Sequence, residues 1–438
     1  MARRYVLIGS GPAAISAAET IRSRDDQGEI VILCAEPHGY YSRPGLAYYL
    51  ASEIPEDRLF PFSPHDFARL NARLLFERAV QIDPAAHRVT LEGGRELPYD
   101  RLLVATGSRA IAARVPGAEL DGVVKLDDLD DARDLIRRSR QAKAAVVVGG
   151  GITALEIAEG LTARGVRVHY FMRKERYWSN ILSESESRVV EDGLRAAGVQ
   201  IHYQTELVRV VGLDGRAVAV ETNGGTQIPC DIVAVALGVR PQKDLADAAG
   251  LDCARGILVD RNLRSSDPDI FAAGDVAEIF DAATDRRTLE VLWGSAVAKG
   301  CIAGLNMATE GTHVYGTGSP LNVTRLAGFK VTIIGTVGSG KDSDLEGLAR
   351  GDSETWAQLG EALMVESDRG DTHVRLALGD SSIAGAVVMG DQAVSFALQE
   401  IIEARADVSG IRARLQEPAA PVAEIVQESW RTSRAHRV

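Results

Sequence analysis

Two short glycine-rich turns hold the most chemically specific residues of this sequence. Gly9-Ser10-Gly11-Pro12-Ala13-Ala14 and Gly149-Gly150-Gly151-Ile152-Thr153-Ala154 share the form G-x-G-x-x-A. Such a turn attacks no bond and moves no proton. Its first glycine (Gly9, Gly149) permits a tight turn, and its third residue (Gly11, Gly151) lets backbone approach a pyrophosphate. The alanine (Ala14, Ala154) lets the following helix pack on its strand. The helix N-terminus supplies partial positive charge to the phosphates. Glu36 stands downstream of the first turn, at the end of a second apolar run, where a carboxylate accepts a hydrogen bond from an adenosine ribose hydroxyl.

The elements around each turn have the required order. Tyr5-Val6-Leu7-Ile8 reads as a buried parallel strand, Ala13 to Arg22 as a helix, and Ile30 to Cys34 as a second strand. The second copy repeats this with a strand at Ala144–Val148, a helix from Ala154 to Arg164 and a strand from Val166 to Met172. Two dinucleotide folds in one chain predict two dinucleotides exchanging electrons.

Composition narrows the class. A length of 438 residues predicts about three domains, and 45% apolar with 25% charged residues is ordinary for a globular enzyme. The net charge of −12, without a basic tail, argues against nucleic acid as a partner. No apolar run reaches membrane-spanning length, and Met1-Ala2-Arg3-Arg4 leads directly into the first strand, so a cytoplasmic location is expected. Cys34, Cys230, Cys253 and Cys301 are scattered, without a C-x-x-C or metal-ligand spacing, so neither a metal site nor a disulfide is expected.

Further along, Phe76 to Leu91 reads as paired strands around Asp83-Pro84. Asp127 to Gln141 reads as a helix with acids early and bases late, matched to its dipole. Ser183-Glu184-Ser185-Glu186 has capping-box form and opens a helix to Gly198. Beyond His313, strands are expected at Phe329–Ile334, Glu361–Glu366, Val374–Leu378 and Ile383–Met389, with helices at Gln392–Arg405 and Val422–Trp430. Gly335-Thr336-Val337-Gly338-Ser339-Gly340-Lys341 fits the phosphate-loop spacing, but Asp342 stands where Ser or Thr would hold magnesium, so a flexible loop is expected.

Tyr41-Ser42-Arg43-Pro44, Tyr99-Asp100, Ala105-Thr106-Gly107 and Ile270-Phe271-Ala272-Ala273-Gly274-Asp275, with the two turns, resemble the pyridine nucleotide-disulfide oxidoreductase superfamily. The resemblance is to its ferredoxin, rubredoxin and nitrite reductase branch. It implies an α/β chain with two Rossmann-like dinucleotide-binding domains of three-layer ββα form and a C-terminal α+β interface domain. The FAD domain would span 1–112 and 244–312, the NAD(P) domain 113–243, and the interface domain 313–438.

By the same resemblance FAD is held by Gly9, Gly11, Pro12, Ala13, Ala14, Glu36, Arg43, the backbone of Val80, Thr106, Gly107 and Asp275. Trp293, opening a helix aimed at the flavin, lies either beside the ring or in the core. The nicotinamide dinucleotide falls to Gly149, Gly151, Ile152, Thr153, Ala154, Arg173 and Gly238. No catalytic side chain is implied, since the flavin carries the chemistry and orientation suffices. The usual ribose acid of the second fold is replaced by Met172, followed by Arg173 and Lys174, which leans locally to NADPH or to tolerance of both nucleotides.

No cysteine stands at Ser42 or in the first helix, so thiol chemistry is disfavoured. Direct transfer to an iron–sulfur protein or subunit is expected, as flavins convert a hydride into single electrons. An oxidase using dioxygen and a non-catalytic redox-sensing flavoprotein are the alternatives. The layout, including the tail near Glu428-Ser429-Trp430-Arg431, also resembles flavoprotein subunits of phenylglyoxylate dehydrogenase and the tungsten aldehyde oxidoreductases. That implies NAD and a hetero-oligomer, with a homodimer as the other arrangement.

Overall fold

The computed structural model describes residues 2–281, 285–316, 318–338, 348 and 350–435. The first apolar run forms strand Arg4–Ile8, buried from Tyr5 onward. It pairs in parallel with Glu29–Leu33 on one side and Arg101–Val104 on the other. Ala72–Leu75 and Ile270–Ala272 complete a five-stranded sheet. Counted along the chain, the strand order is 3-2-1-4-5. In such doubly wound sheets ligands bind beyond the carboxyl ends of the strands, where the order reverses. Here that point is Gly9.

The second parallel sheet is built around Ala144–Val148, flanked by Arg167–Met172 and Ile232–Val235, with Gln200–Tyr203 and Val123–Val124 outermost. Its central strand obeys the two-residue period of a sheet. Ala145 and Val147 join the core on the helix side, whereas Val146 and Val148 pack against the antiparallel meander Leu207–Leu213, Arg216–Thr222 and Gln227–Pro229. A second meander, Ala79–Asp83, Arg88–Leu91 and Glu96–Pro98, plays the same part in the first unit through Ile82, Val89 and Leu97. Both units are therefore Rossmann-like, with an antiparallel layer on one face.

Strand Ile270–Ala272 brings the chain back into the main sheet of the first unit. Ile257–Val259 buries Ile257 and Val259 in the same core but pairs with Ala277–Asp281 in a small separate sheet. The units are joined by Ser108–Ala110 and Val239–Pro241, which pair antiparallel where the chain crosses out and back.

The C-terminal region is a five-stranded antiparallel sheet with helices Ser395–Glu403, Ser409–Leu415 and Val422–Ala435. Its strand Leu321–Leu326 was not anticipated, because the stretch is only half-buried and its apolar alternation, Leu321 and Val323 against Asn322 and Thr324, ends after four residues at Arg325. Val331, Ile333, Val387 and Met389 face the second unit, and Ile334, Ala386 and Val388 face the helices. Arg375, 4% exposed, fastens this sheet. It donates to the carbonyls of Val337 (2.7 Å) and Ile181 (2.6 Å) and to the Glu186 carboxylate (2.9 Å). Glu186 is also the third residue of the capping box begun by Ser183.

Of the sequence resembling a phosphate loop, Gly335–Gly338 lies against the second unit, where a Cβ on Gly338 would meet the Asn180 carbonyl oxygen at 1.9 Å. Ser339, Gly340 and Lys341 lie outside the described residues. Among the described residues no helix is long and apolar enough to cross a membrane.

One helix pair sets the architecture of the first unit. Helix Trp293–Ala308 lies backbone to backbone on helix Pro12–Arg24, since Cβ atoms on Gly300 and Gly304 would fall 2.2 Å and 2.5 Å from the carbonyl oxygens of Ala13 and Ala17. Gly300→Val should separate the helices and lower stability by about 1–3 kcal/mol or more, read by urea unfolding. Arg375→Met leaves the buried Glu186 carboxylate with His373 (3.0 Å) and the Ser183 N–H (2.7 Å) but without its guanidinium, and should cost about 1.5–3 kcal/mol in the same measurement.

Candidate functional site

One cavity of about 560 Å³ opens beyond the strand ends and touches both parallel-sheet units and the C-terminal sheet. Helix Pro12–Arg24 and helix Trp293–Ala308 both point their N-termini into it, and neither has a side-chain cap. Their first N–H groups are therefore available to an anion or an electron-rich ring edge.

The two glycines of the first turn do different work. Gly9 has φ +114°, and a Cβ there would lie 2.2 Å from the Ala105 carbonyl oxygen, so its constraint is the protein's own backbone. Gly11 has ordinary extended backbone, and a Cβ there would meet no protein atom within 4 Å. Its missing side chain is cavity space. Gly149 repeats the first role, with φ +152° and a Cβ position 2.3 Å from the Ala236 carbonyl oxygen.

Of the residues expected at the flavin, Gly9, Gly11, Pro12, Ala13, Glu36, Arg43, Thr106, Gly107, Asp275 and Trp293 all line this cavity. Ala14 is wholly buried behind it, at the contact between helix and strand. Val80 is 48% exposed on the meander, and Glu77, Arg78 and Ala79 line the cavity beside it. Trp293 is half-buried and stacks on Tyr40, ring centroids 6.1 Å apart, so it belongs to both the cavity wall and the core edge.

Glu36 accepts hydrogen bonds from the Tyr41 hydroxyl (2.7 Å) and from Arg43 (2.5 Å). Burial and the Glu36 carboxylate raise the Tyr41 pKa far above the ordinary tyrosine range, so its hydroxyl stays a donor. Arg43 continues to the Asp127 carbonyl, and Arg350 binds both that carbonyl and the Asp127 carboxylate. Burial opposes the charge on Asp127, but Arg350, the N–H of Ala110, Lys125 and Arg43 together hold its pKa below the usual carboxylate range. Asp127 thus pins three parts of the chain, a role beyond the helix-dipole match its sequence position predicts.

Asp275 sits on a short 3₁₀ turn at the cavity and accepts from the Ser108 hydroxyl (2.6 Å). The Thr106 hydroxyl donates to the Gln242 carbonyl (2.7 Å), and the Gln242 amide donates back to the Thr106 carbonyl (2.9 Å). The small-residue turn is therefore clamped by the strand returning from the second unit.

On the second turn, Ile152 and Thr153 reach the large cavity. Gly151, Thr153, Ala154 and Gly238 border a small void of about 20 Å³ beside it. Arg173, just past strand Arg167–Met172, lines neither. Sequence reasoning missed Ser108, Gln242, Arg350 and Glu156. Only Glu156 left a signal, as one of two acids in the otherwise apolar helix Ile152–Ala163.

The family model described as pyridine nucleotide-disulphide oxidoreductase matches residues 3–300. The chain belongs to that family. It is 32% identical over 361 residues to the biphenyl dioxygenase system ferredoxin–NAD(+) reductase component of Paraburkholderia xenovorans (strain LB400), covering 80% of this chain and 84% of the relative. It is 26% identical over 432 residues to the NADH-dependent phenylglyoxylate dehydrogenase subunit epsilon of Aromatoleum evansii, covering 98% of each. The crystal structure of the ferredoxin reductase for the CYP199A2 system from Rhodopseudomonas palustris superposes with a TM-score of 0.85 at 24% identity, over 98% of this chain and 99% of that one.

As a member of this oxidoreductase family the chain is an FAD-dependent NAD(P)H oxidoreductase, with FAD and NAD(P)H as its cofactors. The cavity suits an extended flavin dinucleotide. Its volume is in the range of about 300–1,000 Å³ typical of small-molecule sites, a glycine opens it at one helix N-terminus, and the carboxylates of Glu36 and Asp275 line it as hydrogen-bond acceptors. Gly11→Val should fold with near-normal stability yet purify without flavin, whereas Gly9→Ala should lose stability itself. Bound-flavin absorbance beside thermal unfolding separates the two.

Proposed function

We propose that this chain passes electrons from a nicotinamide dinucleotide, through FAD, to an iron–sulfur protein or subunit without using a thiol. The observation that carries this reading is the cavity itself. It is continuous between the helix starts of both glycine turns, and no cysteine is among its lining residues. When bound, FAD supplies the two-electron to one-electron conversion. The protein's part is placement, through Gly11 and Pro12 at the pyrophosphate, Glu36 and Arg43 toward the adenosine end, and Asp275 toward the ribityl hydroxyls. Thr106 and Gly107 form the small-residue wall, with the Val80 strand alongside. Residues 1–112 and 244–312 form the FAD domain, 113–243 the NAD(P) domain and 313–438 the interface domain.

Gly149, Gly151, Ile152, Thr153, Ala154 and Gly238 bring the nicotinamide dinucleotide to the same cavity, with Arg173 at its adenosine end. NADH is the proposed donor. The named relatives support it against the local bases, being a ferredoxin–NAD(+) reductase component and an NADH-dependent enzyme's subunit. The first of these also supports an iron–sulfur acceptor. Correspondence with the second over nearly the whole of both chains supports a hetero-oligomer.

Anaerobic titration of the yellow protein tests the reading. NADH should bleach the flavin at lower concentration than NADPH, and air should restore the colour slowly. An added iron–sulfur protein should restore it promptly. Prompt reoxidation by air alone would make the chain an oxidase, and no bleaching by either nucleotide would refute communication between the two sites.

A further inference from the structure

Helix Ile152–Ala163 carries two carboxyls that the site described so far does not use. Glu156 and Glu159 are three residues apart and so share one helix face. Glu156 lines the large cavity, and it also lines a second, much smaller one together with Glu159, Tyr48, Arg325, Ala47 and Ala51. That second void, of about 10 Å³, is at the size where a single water fits. On its far side Arg325 donates to Glu53 (2.7 Å), and Glu53 is exposed. Glu156 thus borders both cavities, and the small void is bordered in turn by Glu159 and by Arg325 of a surface ion pair.

The proposed reaction needs such an opening. A hydride leaving nicotinamide takes its bonding electron pair and brings one proton and two electrons into the cavity. Two oxidised one-electron acceptors of the iron–sulfur class take one electron each. NADH plus two oxidised acceptors therefore yields NAD⁺, two reduced acceptors and one proton, which has no carrier. We propose that Glu156 and Glu159 form the proton exit of the dinucleotide cavity, an inference that rests on the one-electron acceptor reading above. Glu156 takes the proton on the cavity side, and Glu159 passes it to solvent beside Arg325 and Glu53.

The surroundings suit the task. Burial, then the charge of Glu159, pushes the Glu156 pKa up to about 8 against the opposing charges of Arg350 and Arg325. Burial, aided by Glu53, pushes Glu159 up to about 7 against Arg325 and the N–H groups of Gly328 and Ala327. Tyr48 from helix Gly45–Leu50 and buried Tyr177 face the pair, and burial raises the pKa of both. Buried Asp352, which also acts on Tyr177, is pushed up to about 7, but it borders neither the large cavity nor the small void. The two glutamates are therefore the cavity-lining groups here that change protonation near neutral pH, and near-matched acids exchange protons most readily around their pKa. As pH falls through about 7 Glu159 increasingly keeps its proton and the outer end closes, and as pH rises through about 8 Glu156 increasingly loses its own.

The test uses the FAD-loaded protein, with Glu156→Gln, Glu159→Gln and Glu156→Asp beside the wild type. Beyond the bands of Glu159 and Asp352, which should fade near pH 7, infrared spectra of the wild type should show a protonated-carboxyl component that disappears near pH 8 and is missing in Glu156→Gln. The protein is then reduced with NADH without air and mixed with ferricyanide, a one-electron acceptor that needs no docking surface, in the presence of a pH dye. Proton release should keep pace with reoxidation in the wild type and slow by about 10²-fold in Glu156→Gln, with part of the rate restored in Glu156→Asp. A wild type without the titrating band, or wild-type release from both glutamine variants, would overturn the exit while leaving the function intact. A wild-type flavin that NADH fails to bleach would refute the function and the exit with it.

Discussion

The close contact between helices Pro12–Arg24 and Trp293–Ala308 is the constraint on which the site depends. Two glycines, Gly300 and Gly304, let one helix rest on the backbone of the other at Ala13 and Ala17. Chain segments almost three hundred residues apart are thereby held with both N-termini at the same cavity. Larger residues at the crossing would move one terminus away from the other. The macrodipole effect falls off within the first turn, so small displacements would weaken the field each helix exerts on a bound anion.

A second set of constraints keeps the units from acting independently. The path from Glu36 through Arg43 to Asp127 and Arg350 runs from the first unit into the second and on to the C-terminal region. The paired strands Ser108–Ala110 and Val239–Pro241, with Gln242 clamping Thr106, tie the same units at the opposite wall. Hydride transfer between two bound dinucleotides requires reacting atoms held about 3–3.5 Å apart. A cavity lined by three parts of the chain meets that demand only if the parts are held together, and these polar bridges do so beside the apolar core that the second unit shares with the C-terminal sheet.

Much of this was legible in the sequence, for identifiable reasons. The turns at Gly9 and Gly149 were readable because the strands before them are continuous apolar runs and the glycines answer to local backbone needs. The capping box at Ser183 and Glu186 was readable because it is a contact across three residues. What could not be read depends on long-range placement. Nothing near Arg350 announces that it will meet Asp127, and Gly300 and Gly304 look like ordinary small residues until a second helix is laid against them. Strand Leu321–Leu326 escaped because its side chains are shared between cavity, surface and sheet, which cuts short the alternation that marks a strand facing a single core.

The same logic explains why the acids at Glu156 and Glu159 stand where a core helix would normally carry leucine. Helix Ile152–Ala163 buries Leu155, Ile157, Ala158 and Leu161 fully and could have buried a uniform apolar face. Both carboxyls are instead half-buried on cavity walls, and charge there is costly unless ionisation is suppressed or partners are near. The protein partly suppresses it by burial and partly offsets it with Arg325 and Arg350. Neither carboxyl is locked into a short ion pair of the kind that holds Glu186 to Arg375. A fastening residue needs a fixed charge, as Glu186 has. A proton carrier needs a charge that comes and goes, and the surroundings of Glu156 and Glu159 leave theirs unfixed.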